Sequence, residues 1–223
     1  MQIFLDSGVP SVMKRHEKDV AGFTTNPSLM KAWVVKSYRE YVNEVLPLTN
    51  SKPVSFEVFS DDITEMGMQA VEIASWAGNI YVKIPVTNTK GESCAPLMKS
   101  LGERGIKVNA TAIMTMEQIN TVARSLVGPS ILSIFCGRIA DTGKDPIPFI
   151  TKAIHVKHAA TKILWASTRE VLNVQQAQSC GTDIITMGPE LIYKFNTITA
   201  KDLGEYSLET VKQFLSDSQG LSL

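Results

Sequence analysis

Eight short apolar runs, each followed by a segment of helical periodicity, constrain this chain more than any other feature. The runs lie near Gln2–Leu5, Val20–Thr24, Val54–Val58, Ile80–Ile84, Lys107–Ala112, Ile131–Phe135, Lys162–Ala166 and Asp183–Thr186. Most are rich in β-branched and aromatic residues, as parallel strands covered on both faces must be. Between them Ser11–Lys18, Asp62–Trp76, Ser93–Arg104, Met116–Leu126, Pro148–His158, Glu170–Ser179 and Pro189–Phe195 suit helices, and Asn26–Leu46 has room for one or two more. A strand–helix unit repeating at roughly 25–30 residues implies parallel βα units, and eight of them close into a (β/α)₈ barrel. The rival is an open doubly wound sheet, which would carry a glycine-rich turn after its first strand. Here that strand is followed by Asp6-Ser7-Gly8-Val9-Pro10, which does not fit.

Local signals agree with this division. Thr115 is placed to cap a helix, with Gln118 three residues on as its box partner. Asp61 or Asp62 is placed to cap the helix that carries Glu65 in its first turn. Gly105 and Gly181 follow helices where a left-handed residue belongs. Residues 202–217 read as an extra C-terminal helix, with Ser207 a candidate cap and Leu203, Tyr206, Leu208, Val211, Phe214 and Leu215 forming an apolar side. In an eightfold unit that helix has no strand to cover, so it packs across the barrel or on another subunit.

A length of 223 residues suits one such domain, spanning 1–223. With 44% hydrophobic and 20% charged residues, a disordered chain is excluded over most of the length. The 22 basic and 22 acidic side chains balance and form no basic stripe, so nucleic acid is not an expected partner. Cys94, Cys136 and Cys180 are too scattered for a zinc site or a disulfide framework, and buried thiols are expected. The opening MQIFLDSGVP lacks a secretion signal, and no apolar stretch reaches the ~20 residues of a membrane helix. A cytoplasmic protein without membrane contact is the expectation.

Barrel chemistry sits at the carboxyl ends of the strands. Polar residues collect there: Asp6, Thr24, Asn26, Glu57, Lys83, Asn109, Thr111, Ser133 and Ser167, with Arg138 and Arg169 just beyond strands six and seven. Residues i and i+2 share a strand face, so Asn109 and Thr111 point together, as do Ser133 and Phe135. Lys83, inside Ile80-Tyr81-Val82-Lys83-Ile84-Pro85, is the sharpest feature. An ammonium on a strand covered on both faces is costly unless solvated or paired, and burial favours the free amine, a nucleophile toward ketones. Alternatively its head reaches water at the strand tip. Asp6 and Glu57 are either two acid–base groups or simple ion-pair partners of Lys83 and helix caps. Arg138 and Arg169 are either phosphate ligands or surface salt bridges. His155 and His158, on one helix face beside Lys152 and Lys157, read as solvated rather than as metal ligands.

Three segments together resemble the transaldolase family: Ile3-Phe4-Leu5-Asp6, Gly22-Phe23-Thr24-Thr25-Asn26-Pro27-Ser28-Leu29 and Val82-Lys83-Ile84-Pro85-Val86-Thr87. The likeness is to the short branch that includes fructose-6-phosphate aldolase, and it runs from the first strand to Gly188-Pro189. It implies a barrel with a Schiff-base lysine on strand four, where the strand count independently places Lys83. It implies Asp6 as the acid–base group for the C4 hydroxyl, with Glu57 and Thr111 holding a proton-shuttling water. Asn26, Asn109 and Ser133 would bind the dihydroxyacetone unit, and Arg138, Ser167 and Arg169 the phosphate. Aldolase members of the branch resemble this chain less, since they typically carry Gln and Tyr at the positions of Glu57 and Phe135. Ser133-Ile134-Phe135-Cys136-Gly137-Arg138 resembles the transaldolase motif, with Ile134 and Cys136 as departures. Trp165 is bulkier than the small residue expected, and either reshapes the site or faces a helix. The resemblance further implies sugar-phosphate substrates of the pentose phosphate pathway, no cofactor, no metal, and a homo-oligomer, pentamer or decamer. Two rivals stand beside a transaldolase: a fructose-6-phosphate aldolase and a catalytically silent sugar-phosphate-binding barrel.

Overall fold

The computed structural model describes residues 1–31 and 37–221. Its strands are β1 (Gln2–Asp6), β2 (Gly22–Thr24), β3 (Val54–Glu57), β4 (Ile80–Pro85), β5 (Val108–Ile113), β6 (Ser130–Ile134), β7 (Thr161–Trp165) and β8 (Ile184–Met187). All eight pair in parallel with their sequence neighbours, and β8 closes on β1. The fold is thus a (β/α)₈ barrel, and the open-sheet alternative falls.

The described helices are α1 (Pro10–His16), α2 (Pro27–Met30), α3 (Tyr38–Leu48), α4 (Ile63–Ser75), α5 (Ala95–Glu103), α6 (Met116–Ser125), α7 (Cys136–Asp141), α8 (Ile147–Val156), α9 (Leu172–Ser179), α10 (Pro189–Ile198) and α11 (Leu203–Asp217). Part of the Asn26–Leu46 span expected to be helical, residues 32–36, lies outside the described residues. Thr115 and Gln118 form the expected capping box, and Asp62 rather than Asp61 caps α4. Asp61 instead binds Thr89 through both carboxylate oxygens. Gly105 and Gly181 adopt φ of 77° and 80°, as their places after helices require. Three expectations need correction. The cap of α11 is Asp202, whose carboxylate accepts from Glu205, while Ser207 lies inside the helix. His158 lies beyond the end of α8 and accepts from the amide of Ala160, so it shares no helix face with His155. The short α7 follows β6 directly, where no helix was expected, because the run from Cys136 is too brief to show a period.

Strand alternation divides the core into two shells. Leu5, Phe23, Phe56, Ile84, Ala110, Ile134, Trp165 and Ile185 face outward and pack with the helices. Phe4, Ile131, Leu164, Ala166 and Ile184 form a smaller cluster inside the barrel. Trp165 therefore faces the helices and leaves the barrel mouth to Leu164 and Ala166. The interior is close-packed at one point in particular. Gly22 pairs with Phe4 across β1 and β2, and a Cβ on Gly22 would lie 2.5 Å from the Phe4 ring. The ring fills the space that glycine leaves. Gly22→Ala should therefore destabilise the barrel by about 1–3 kcal/mol, as overpacked cores do, read as a lower urea midpoint with an unchanged slope; equal midpoints would refute the packing argument.

Candidate active site

Parity and register bring the polar strand ends together. Asp6, Thr24, Glu57, Lys83, Asn109, Thr111, Ser133 and Thr186 share the inward parity of Phe4, Gly22, Ser55, Tyr81, Ile131 and Ile184. Asp6 pairs with Thr24, Thr24 with Ser55, Glu57 with Lys83, and Lys83 with Asn109. These residues occupy adjacent levels just below the carboxyl rim. Above them opens a cavity of about 920 Å³, lined by Asp6, Thr24, Asn26, Glu57, Lys83 and Thr111, then by Ser133, Phe135, Arg138, Ser167 and Arg169. Twelve site residues were expected from the sequence, and these eleven line one cavity.

The twelfth, Asn109, lies beneath the lining and is fully buried. Its amide nitrogen donates to Ser55 Oγ at 2.9 Å, and its oxygen accepts from Ser133 Oγ at 2.7 Å. Asn109 thus braces Ser133 from below. Asn26 is also engaged, since its side-chain oxygen accepts from Leu29 and caps α2.

Lys83 is 6% exposed. Its Nζ donates to the Thr25 carbonyl at 3.0 Å and lies 3.5 Å from Glu57 Oε2. The head does not run along the strand to bulk water; it stays between β2 and β3. Burial pushes the Glu57 carboxyl upward, the attraction of Lys83 pulls it back, and Asp6 raises it further. Asp6 is raised for the same first reason, with Lys83 and the Thr24 hydrogen bond opposing. Two carboxyls with elevated proton affinity beside an amine make a site equipped for carbonyl attack and proton transfer. The Thr111 hydroxyl is buried at the cavity wall and has no hydrogen-bond partner among the described residues, so it is available to whatever occupies the cavity.

The backbone is strained at two points of this rim. A register shift in β5 between Ala110 and Ile113 leaves Ala112 at φ 62°, so Thr111 and Ala112 both line the cavity. Ser167 has φ 61°. Such left-handed non-glycine residues cost about 1–2 kcal/mol each. The Ser167 loop is held against α7, where a Cβ on Gly137 would lie 1.6 Å from the Ser167 carbonyl oxygen. Only glycine admits that crossing, which sets Arg138 beside Ser167. Arg138 rests over the Phe135 ring at 5.6 Å. Arg169 donates through Nε and Nη2 to the Asp141 carboxylate at 3.2 and 2.6 Å, which fixes its fork and holds Asp141 below the usual carboxylate range. Both arginines are exposed, so they form a cationic edge at one side of the mouth.

Several lining residues escaped the sequence reading. Thr186 of β8 binds Thr24 at 2.6 Å, and Thr168 donates to the Thr186 carbonyl at 2.7 Å. Thr186 carries the same signal as the others, a polar residue near a strand's carboxyl end. Ser55 and Tyr38, whose hydroxyl donates to the Glu57 carbonyl at 3.0 Å, act beneath or behind the lining and left no such signal.

Because burial raises the Asp6 carboxyl, the folded state binds this proton more tightly than the unfolded state does. Its contribution is then a penalty, absent below the unfolded value of about 4 and growing as pH rises through the elevated folded value. Asp6→Asn should accordingly be more stable than the wild type at pH 7, with the difference vanishing at acid pH; a urea series showing a pH-independent difference would contradict this.

A sequence model of the transaldolase/fructose-6-phosphate aldolase family matches residues 3–222. The chain is 33% identical to a probable transaldolase of Carboxydothermus hydrogenoformans, over 99% of each chain. It is 30% identical to a probable transaldolase of Dehalococcoides mccartyi, over 97% of each chain. A third protein of that name, from Streptococcus agalactiae, is 31% identical over 97% of each chain.

Proposed function

Since this chain belongs to the transaldolase/fructose-6-phosphate aldolase family, we propose that it transfers a dihydroxyacetone unit from a ketose phosphate to an aldose phosphate through a Schiff base on Lys83. The observation that carries this reading is the placement of Lys83, an amine almost wholly buried yet lining the cavity, 3.5 Å from Glu57 and within the field of Asp6. The Nζ lone pair attacks the ketose C2 carbonyl. The carbinolamine hydroxyl takes a proton and leaves as water, giving the iminium. Glu57 supplies and recovers that proton through a water held with the free Thr111 hydroxyl. Asp6 removes the C4 hydroxyl proton, the C3–C4 bond breaks, and its electron pair passes into the iminium to give an enamine. The aldose phosphate leaves. A second aldose phosphate then accepts the enamine carbon, and the steps reverse. The donor is fructose 6-phosphate or sedoheptulose 7-phosphate, bound by hydroxyl contacts at Thr24, Asn26 and Ser133. Its phosphate is held at the mouth by the Arg138 guanidinium, whose fork geometry suits a phosphate, by the Ser167 hydroxyl, and by the Arg169 charge, with its fork kept on Asp141.

Transfer rather than release depends on the enamine carbon not being protonated. Phe135 lines the cavity with a ring that offers no proton, and Arg138 lies over that ring. The same reading makes this a cytoplasmic enzyme of sugar-phosphate metabolism, working as one barrel domain over 1–223. Its free cysteines suit a reducing compartment. Among the described residues no helix is long and apolar enough to cross a membrane.

The extra helix bears on assembly. No residue of α11 is buried, and Leu203, Tyr206, Leu208, Val211, Phe214 and Leu215 are all exposed. A lone 15-residue helix is marginal in water without a partner for its apolar face. We infer that α11 packs on a second copy of this chain in a pentamer or a decamer of paired rings. Light scattering should give a mass near five or ten times 24.5 kDa; a monomer would end this part of the proposal.

Incubation with fructose 6-phosphate and borohydride should leave a stable adduct on Lys83, and Lys83→Ala should form none. Lys83→Ala should also lose on the order of a thousandfold or more in transfer to erythrose 4-phosphate. An unlabelled Lys83 would indicate a silent sugar-phosphate barrel, and cleavage without an acceptor at the transfer rate would indicate an aldolase. Phe135→Tyr should raise acceptor-free cleavage relative to transfer; an unchanged ratio counts against Phe135 as the determinant.

A further inference from the structure

The carboxylate assigned to C–C cleavage does not stand alone in the barrel. Asp6 Oδ1 accepts from Thr24 Oγ1 at 2.7 Å, and Thr24 Oγ1 lies 2.6 Å from Thr186 Oγ1. The two threonines are buried, and they come from β2 and β8, the strands on either side of Asp6. A threonine hydroxyl has one proton to donate. A hydrogen bond to a carboxylate is stronger than one to a second hydroxyl, so the Thr24 proton goes to Asp6. The Thr186 proton must then point at Thr24, because otherwise two oxygens 2.6 Å apart would share no hydrogen. The direction of the whole chain follows: Thr186 donates to Thr24, and Thr24 donates to Asp6. Thr168 in turn ties the Thr186 carbonyl, fixing this end of β8.

We propose that Thr186 is a positioning residue for Asp6: acting through Thr24, it aims a hydroxyl proton at Oδ1 and leaves Oδ2 as the oxygen that exchanges a proton with the substrate. The chain polarises cooperatively, so the Thr186 donation strengthens the bond that Thr24 makes to the carboxylate. Without it Thr24 is free to rotate, and the carboxylate loses part of the support that opposes its burial. Among the described residues, the charged groups facing Asp6 are Lys83 on β4 and Glu57 on β3. Neither touches Thr186 by hydrogen bond or ion pair, so a change at Thr186 reaches Asp6 through the hydroxyl chain. This inference rests on the reading of Asp6 as the acid–base group, and strand β8 becomes part of the catalytic support rather than a closing strand only.

Thr186→Val keeps the shape and removes the hydroxyl, and Thr186→Ser keeps the hydroxyl. The valine variant should lose roughly fivefold in kcat for transfer, with KM little changed, and the acid limb of its kcat/KM profile should move to higher pH. The serine variant should restore both. Thr186→Ala, checked by circular dichroism, serves the same comparison if the valine variant misfolds. A valine or alanine profile that overlies the wild type overturns the proposal, as does a serine variant that behaves like valine, since packing would then be the role. The pH dependence of urea stability gives a readout independent of turnover. In the valine variant the decline in stability that Asp6 causes should extend to higher pH, and superposable curves overturn the proposal whatever the activity. Borohydride trapping on Lys83 in the wild type separates this outcome from failure of the Schiff-base reading.

Discussion

The site depends on one electrostatic constraint. A lysine that is 6% exposed must have its head held by charge and dipole, and here the Glu57 carboxylate and the Thr25 carbonyl hold it. An amine so held cannot wander to solvent, yet it still lines the cavity. The cost passes to its neighbours, since both Asp6 and Glu57 are driven up by the same burial. Buried ionisable groups of this kind destabilise a fold and are retained where they serve a purpose. The remaining polar residues of the floor read as support. Tyr38 ties the backbone of Glu57, and Asn109 with Ser55 braces Ser133.

A parallel barrel suits this task because each inward residue is levelled by register with those of neighbouring strands. Glu57, Lys83 and Asn109 pair in succession across β3, β4 and β5, so their spacing is set by the ladder and not by loops. The segments beyond the strands, α7 and the turn after β7, contribute the cationic groups. The arginine edge is of that kind, with Gly137 allowing the Ser167 backbone to approach α7 and Asp141 fixing the Arg169 fork. The two ends of the cavity thus differ in construction: a rigid floor of strand residues and a rim of strained backbone at Ala112 and Ser167.

Much of this was legible in the chain. Short apolar runs between helical periods revealed all eight strands, because burial on both faces enriches each strand in the same residue types. Motif residues near the strand ends found eleven of the cavity lining side chains. The misses share a cause. The Asp202 cap of α11, in place of the candidate Ser207, and the helix α7 are not visible in the chain, since a cap before the helix and a six-residue helix leave almost no periodic signal. Asn109 lies below the lining rather than in it; that position depends on packing depth, and depth has no sequence period.

The order of strands and helices, the collection of Asp6, Glu57, Lys83 and Thr111 at strand ends, and the shared face of Asn109 and Thr111 were all determined by the sequence itself. Local propensity and alternation are properties of neighbouring residues, and they act before any long-range contact forms. Only the tertiary structure decided that Lys83 stays buried between Thr25 and Glu57, that Trp165 turns to the helices, and that Thr186 reaches Asp6 through Thr24. Each of these joins residues far apart in the chain, and the Thr24–Thr186 contact spans 162 positions. The Thr24–Thr186 contact exists only once the eighth strand has closed on the first, because closure alone brings the two ends of the chain within hydrogen-bonding reach.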